Sequence, residues 1–170
     1  MSITIADPVI ALIKTAQEFK GVKEQNNNRG IVPGYANWWT GRDMAPYPQG
    51  LDGAPWCSTW VNLVGSQAVG VAWPVPVGDP KYSDVDQMAK WAQQEGIWYT
   101  VPQAGDLFCV NKGSGWGHIG IVVRVLDGDE QILTIEGNTN LDGSFNGNGV
   151  YERTRKVESS GYIRWLEAVR

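Results

Sequence analysis

The hydrophobic period of this chain changes once, near Gly105, and that change limits its fold more than any other feature. Upstream, apolar residues recur at helical spacing, first as Val9, Leu12, Ile13, Ala16 and Phe19, then as Trp56, Trp60, Leu63 and Val64 around Cys57 and Val61. Downstream the period is two, in "GDLFCV", "HIGIVVRVL", "QILTIEG", "GVYERTRKV" and the closing "GYIRWLEAV". Helices first and strands afterwards, joined by hairpin turns such as "DGDE", predict a segregated α+β domain with N-terminal helices packed on a C-terminal antiparallel β-sheet. A chain of 170 residues that is 42% hydrophobic is expected to bury one core, as a single domain over 1–170.

Local signals mark the ends of the helices. Asp7 reads as an N-cap before Pro8 at the first helical position, and Gly21 closes that run. Pro74, Pro76 and Pro80 break the chain before "SDVDQMAKWAQQEG", where Ser83 and Asp86 read as a Ser-x-x-Asp cap and Gly96 as the stop. Trp56, Trp60 and Trp91 fall on helical periods that point into the core, while Trp116 is the better candidate for a groove wall. Asp106 reads as the turn residue that starts a strand. No internal repeat is visible, and the one biased segment is "GNTNLDGSFNGNGV".

Composition excludes several kinds of function. A net charge of -4 without a Lys/Arg run argues against nucleic acid or an anionic membrane as partner. No stretch reaches the roughly 18 apolar residues of a membrane span, and "MSITIADPVIALIK" lacks the order of a signal peptide, so synthesis in the cytoplasm is expected. A monomer is expected. The two cysteines, Cys57 and Cys109, form no disulfide framework or CxxC pair, although one bridge between them stays open. With a single histidine, His118, a catalytic zinc site is not expected. Asn138, Asn140 and Asp142 before Gly143 look like the start of a calcium loop, but its twelfth position is Gly149 rather than a bidentate Glu, so neither metal nor other cofactor is expected.

What remains points to nucleophilic chemistry. Cys57 lies on the first turn of a helix, where N–H groups without intrahelical acceptors and the helix dipole favour thiolate over thiol. A thiolate that attacks an amide needs a base that later protonates the leaving amine, and His118 supplies the imidazole at the head of a strand. The next strand ends in "IEGN", which offers Glu136 and Asn138 as the group that orients His118. Cys109 sits in an alternating strand and reads as packing. Side chains alternate along a strand, so His118, Glu136 and Asn138 share a face only if even residues oppose even residues. Pairing His118 with Asn138 also pairs Gly120 with Glu136 and Leu126 with Glu130. That leaves Asp127, Gly128 and Asp129 as the turn.

The blocks "GAPWCSTWVN", "VPQAGDLFCV", "GWGHIGIVV" and "ILTIEGNTN" resemble those of the CHAP family, the cysteine, histidine-dependent amidohydrolases/peptidases that cut peptidoglycan. The resemblance implies a papain-like fold and amide hydrolysis in cell-wall peptides, with peptidoglycan as partner and no cofactor. Position by position it implies Cys57 as nucleophile, His118 as base, Glu136 as orienter and Asn138 as an auxiliary polar group. The upstream "KEQNNNRG" resembles a further segment of the family and carries no mechanism by itself. A papain-like peptidase or acyltransferase acting on another substrate, and a catalytically silent wall-binding module, are the alternatives. Amidase and endopeptidase share this machinery, so the bond stays open. Action at the bacterial wall then requires release or delivery, as for a phage lysin, a tail-associated hydrolase or an injected effector.

Overall fold

The computed structural model describes residues 7–24, 55–75, 84–126, 128–142, 147–158 and 160–169. Helix α1 spans Pro8–Glu18, with Asp7 as its N-cap accepting from the N–H of Val9 at 2.9 Å and Gly21 in the left-handed region beyond its end. Helix α2 spans Cys57–Val69 and helix α3 Val85–Gln94. The cap of α3 differs from expectation. Asp84 occupies it and accepts from the N–H of Gln87, while Asp86 lies in the first turn and pairs with Lys90 at 2.7 Å; Ser83 falls outside the described residues. Asp84 stands immediately before the first helical residue, the position from which a side-chain oxygen accepts from an N–H of the first turn.

Among the described residues six strands follow: β1 Trp98–Tyr99, β2 Leu107–Asn111, β3 Trp116–Val125, β4 Gln131–Thr139, β5 Gly149–Lys156 and β6 Ser160–Ile163. They form one antiparallel sheet in the order β1-β6-β2-β3-β4-β5. The architecture is the α+β arrangement that the change of period demands. β1 escapes a sequence reading because two residues are too few to show alternation. The last strand is shorter than "GYIRWLEAV" suggests. It stops at Ile163, and Trp165–Ala168 turn into a 3₁₀ helix as Arg164 reaches for Asp106 and the Trp165 indole donates to the carbonyl of Gly105.

The helices cover one face of the sheet, with α1 on α2 and α2 on β3 and β4. Every residue of α2 from Cys57 to Ser66 is buried, as expected of a helix clothed on all sides. Its polar members are matched where they enter the core: Asn62 Oδ1 accepts from the Trp73 indole at 3.1 Å. A Cβ on Gly65 would lie 2.3 Å from the Trp73 ring, so glycine admits that indole. Trp56 and Trp60 are fully buried, as the helical period implies; Trp91 and Trp116 are half-buried, and Trp116 packs edge-on against Trp98 at 4.7 Å.

The β3–β4 hairpin has the like-parity register over Ile121–Ile135 and Val122–Thr134. Nearer the turn it slips by one, to Arg124–Leu133 and Val125–Ile132, because Val123 bulges out of β3. The N–H of Leu126 consequently donates to Gln131, not Glu130, and the connection is one residue longer than expected; Gly128 and Asp129 both lie in the left-handed region. Asp127 is outside the described residues.

Candidate active site

Two further irregularities frame the place where the predicted residues meet. Val110 pairs with His118 but Asn111 pairs with Trp116, so Gly117 is the extra residue immediately before His118. On β4, Glu136 pairs with Tyr151 and Thr139 with Gly149, an added residue accommodated by Asn138 at φ 58°. Bulges re-aim side chains. Between them, Gly120 leaves room for the Glu136 side chain to lean along the sheet: a Cβ there would lie 2.5 Å from Phe108 and 2.9 Å from Glu136 Cγ.

Glu136 uses that room to reach His118, whose Nε2 is 2.8 Å from Glu136 Oε2, with both side chains fully buried. The imidazole also interacts with the thiol of Cys57, the first residue of α2. With Nε2 committed to Glu136, Nδ1 is the nitrogen left available to the thiol. The backbone N–H groups of Ile119 and Ser58 also favour the thiolate of Cys57.

Each ionisation follows from these contacts. Burial opposes a thiolate at Cys57, but the polar contact and charge of His118, with the two backbone N–H groups, outweigh it and lower the thiol pKa. Burial likewise opposes an imidazolium, yet the bonds to Cys57 and Glu136 raise His118 to about 9. Burial of Glu136 is overcome by Arg155 and His118, which hold it down at about 2. The arrangement therefore favours a thiolate beside an imidazolium, backed by a fixed carboxylate.

Cys57, His118 and Glu136 are thus brought together, while Asn138 stands apart. It is fully buried, yet neither its Oδ1 nor its Nδ2 has a hydrogen-bond partner among the described residues. Cys109 lies in the same core cluster as Cys57, and burial pushes its thiol far up, so it stays protonated. Both cysteines are free thiols. Of the residues with calcium-like spacing, Asn138 is inside β4 and Asn140 Oδ1 accepts from the N–H of Asn148.

Sequence reasoning missed three members. Arg155 on β5 forks onto Glu136, Nε to Oε1 at 2.8 Å and Nη2 to Oε2 at 2.6 Å, and Thr134 Oγ1 donates to Oε1 at 2.6 Å. Strand alternation puts Arg155 on one face of β5, but only the β4–β5 register turns that face toward Glu136. Glu24 accepts from the indole of Trp56, directly before Cys57, at 2.8 Å. It is held there by Lys23 bridging to Gly149 and its own N–H donating to Asn148; the rest of "KEQNNNRG" lies outside the described residues.

A helix N-terminal thiol set against a carboxylate-held imidazole on an antiparallel sheet defines a papain-like α+β class of protein. The sequence profile of the CHAP domain matches residues 48–138, more than half of the chain, and the chain belongs to that family. The family is one of peptidoglycan-related amidase- and peptidase-type hydrolases. No curated protein and no solved structure matches the chain.

Proposed function

We propose that this chain hydrolyses amide bonds in the peptide portion of peptidoglycan, with Cys57 as nucleophile. One observation carries the reading: the thiol on the first turn of α2 is electrostatically coupled to an imidazole whose Nε2 lies 2.8 Å from a buried carboxylate. Membership of the CHAP family supports the substrate class.

In this mechanism the Cys57 thiolate attacks the amide carbon, and the carbonyl π electrons move to oxygen. The Cys57 backbone N–H at the helix terminus stabilises that oxyanion. Collapse breaks the C–N bond as the His118 imidazolium gives its Nδ1 proton to the departing amine, leaving a thioester and neutral imidazole. Water then attacks the thioester, giving a proton to Nδ1, and expulsion of Cys57 sulfur restores the thiolate–imidazolium pair with a free carboxylic acid as product. Glu136 keeps the ring oriented and its charge balanced throughout. No cofactor takes part, and the site of action is the bacterial cell wall.

Digestion of purified peptidoglycan with mass spectrometry of the new termini tests this. Soluble fragments carrying either a free lactyl carboxylate (amidase) or a peptide carboxylate paired with a new amine (endopeptidase) are expected from the wild type, and none from Cys57→Ala of unchanged thermal stability. Wild-type protein that binds sacculi and releases nothing would overturn hydrolysis in favour of a wall-binding module.

A further inference from the structure

We propose that Arg155 is a positioning residue for this site: its guanidinium keeps Glu136 anionic and seated on His118, and thereby keeps the Cys57 thiol activated. The inference rests on the reading of Cys57 as nucleophile and concerns a residue outside the family-matched segment, which ends at residue 138.

The geometry is that of a saturated carboxylate. Oε1 accepts from Thr134 and Arg155 Nε, and Oε2 from His118 and Arg155 Nη2. Arg155 is opposite Ile132 in the ladder, well along the sheet from Glu136, which is opposite Tyr151. The side chain therefore runs back over the face to reach its target, and its 14% exposure shows that it is largely withdrawn from water to do so. A surface arginine would gain little from such a path, since exposed ion pairs contribute ~0–1 kcal/mol. A fork onto a fully buried carboxylate is a different case, because that carboxylate cannot remain charged unless it is paired.

Charge balance explains why the pairing matters to chemistry. Among the described residues, the groups set around Glu136 are His118 from β3, Thr134 on its own strand and Arg155 from β5, with Arg153 opposite Thr134 in the ladder; Cys57 of α2 acts through His118, and Phe108 of β2 is neutral. Arg153 is turned to the carbonyl of Leu141, so Arg155 and His118 are the cations that act on Glu136. With Arg155 present, Glu136 is neutralised whether the Cys57–His118 pair is thiol and imidazole or thiolate and imidazolium. Without it, the activated state holds two buried anions against one cation. Protonation of Glu136 is then the cheapest relief, and a neutral carboxyl no longer favours the imidazolium that the thiolate needs.

The test reads the thiol directly and needs no wall substrate. The rate of iodoacetamide labelling at Cys57 is followed against pH for the wild type, Arg155→Met and Arg155→Lys, with Cys57→Ala as blank and thermal melts as the check on folding. The wild type should label well into the acid range. In Arg155→Met the acid limb should move up by about one pH unit, a roughly tenfold slower rate at a fixed acidic pH. Arg155→Lys, which retains the charge and loses the fork, should fall between the two, and its midpoint decides the matter if Arg155→Met fails to fold. On peptidoglycan, kcat should fall in step while KM changes little. A folded Arg155 variant whose acid limb stays in place, with only amplitude or melting temperature reduced, overturns this inference alone. A wild-type profile that titrates as an ordinary free thiol overturns the nucleophile assignment and this inference with it.

Discussion

Among the described residues, two buried carboxylates each receive an arginine fork, and their pKa values shift in opposite directions. Glu136, in the middle of the sheet, is held down at about 2. Asp106, just before β2, is only 3% exposed and takes Arg164 Nε at 3.3 Å and Nη2 at 3.1 Å, yet its pKa is raised. Burial pushes both up; the difference lies in what opposes it. Glu136 adds an imidazolium and the Thr134 hydroxyl to shorter arginine bonds, whereas Asp106 adds one backbone N–H, from Gln103, and feels the nearby charge of Glu167. Arg164 is itself shared, stacked under Tyr99 at 3.9 Å and bonded to the carbonyl of Val101. An arginine fork alone does not make a buried carboxylate a strong anion. Glu136 is built to stay charged; Asp106 is built to fasten the start of β2 to the chain beyond β6.

The largest effect that could break this contrast is on turnover. Glu136→Ala should cost about a hundredfold or more in kcat, because the imidazole loses its orienter and counter-charge. Asn138→Ala should cost less, since Asn138 makes no bond to the imidazole in this arrangement. Asp106→Ala should lower stability by ~1–3 kcal/mol and leave activity per folded molecule nearly intact. A folded Asp106→Ala protein without turnover, or a Glu136→Ala protein with near-full turnover, would reverse the roles assigned to the two forks.

The two cysteines extend the contrast to thiols in one core. Cys57 carries helix-terminal N–H groups and His118, and Cys109 carries neither. Iodoacetamide should therefore inactivate the wild type at Cys57 and leave Cys109 unlabelled, as mapped by peptide mass. Cys109→Ala should retain turnover while losing about 1 kcal/mol or more of packing. Loss of turnover in a folded Cys109→Ala protein would show that the second thiol is not merely buried.

The smallest effect, and the sharpest test of the opposite signs, is on acid stability. Folding lowers the Glu136 pKa from 4.5 to about 2, so its contribution is present above pH 4.5 and is lost as pH falls toward 2. For Asp106 the folded value is above 3.8, so the folded state binds the proton first and gains stability as pH falls through that window. Urea unfolding at a series of acid pH values should show a flatter fall in stability for Glu136→Gln and a steeper one for Asp106→Asn. Identical slopes in the two variants would mean that the forks are electrically equivalent.

Much of this protein is written locally. Asp7-Pro8 favours a helix start ahead of an apolar run at helical spacing, the change of period at Gly105 separates helices from strands, and Cys57 stands on a helix N-terminus because Trp56, Trp60 and Leu63 set that helix's face. Alternation alone states the condition under which His118 and Glu136 share one side of β3 and β4, and the like-parity register at Ile121–Ile135 and Val122–Thr134 meets it. These signals act over a few residues or one hairpin, so they can be read without neighbours. Tertiary structure decided the rest: the bulges at Gly117, Val123 and Asn138, the strand order that lays β6 between β1 and β2, the isolation of Asn138, and the long reaches of Arg155 to Glu136, Arg164 to Asp106 and Glu24 to Trp56. Arginine and glutamate on a strand look the same whether they meet water or a buried partner. Only the packing of distant strands removes the water and leaves each charge to find its counterpart.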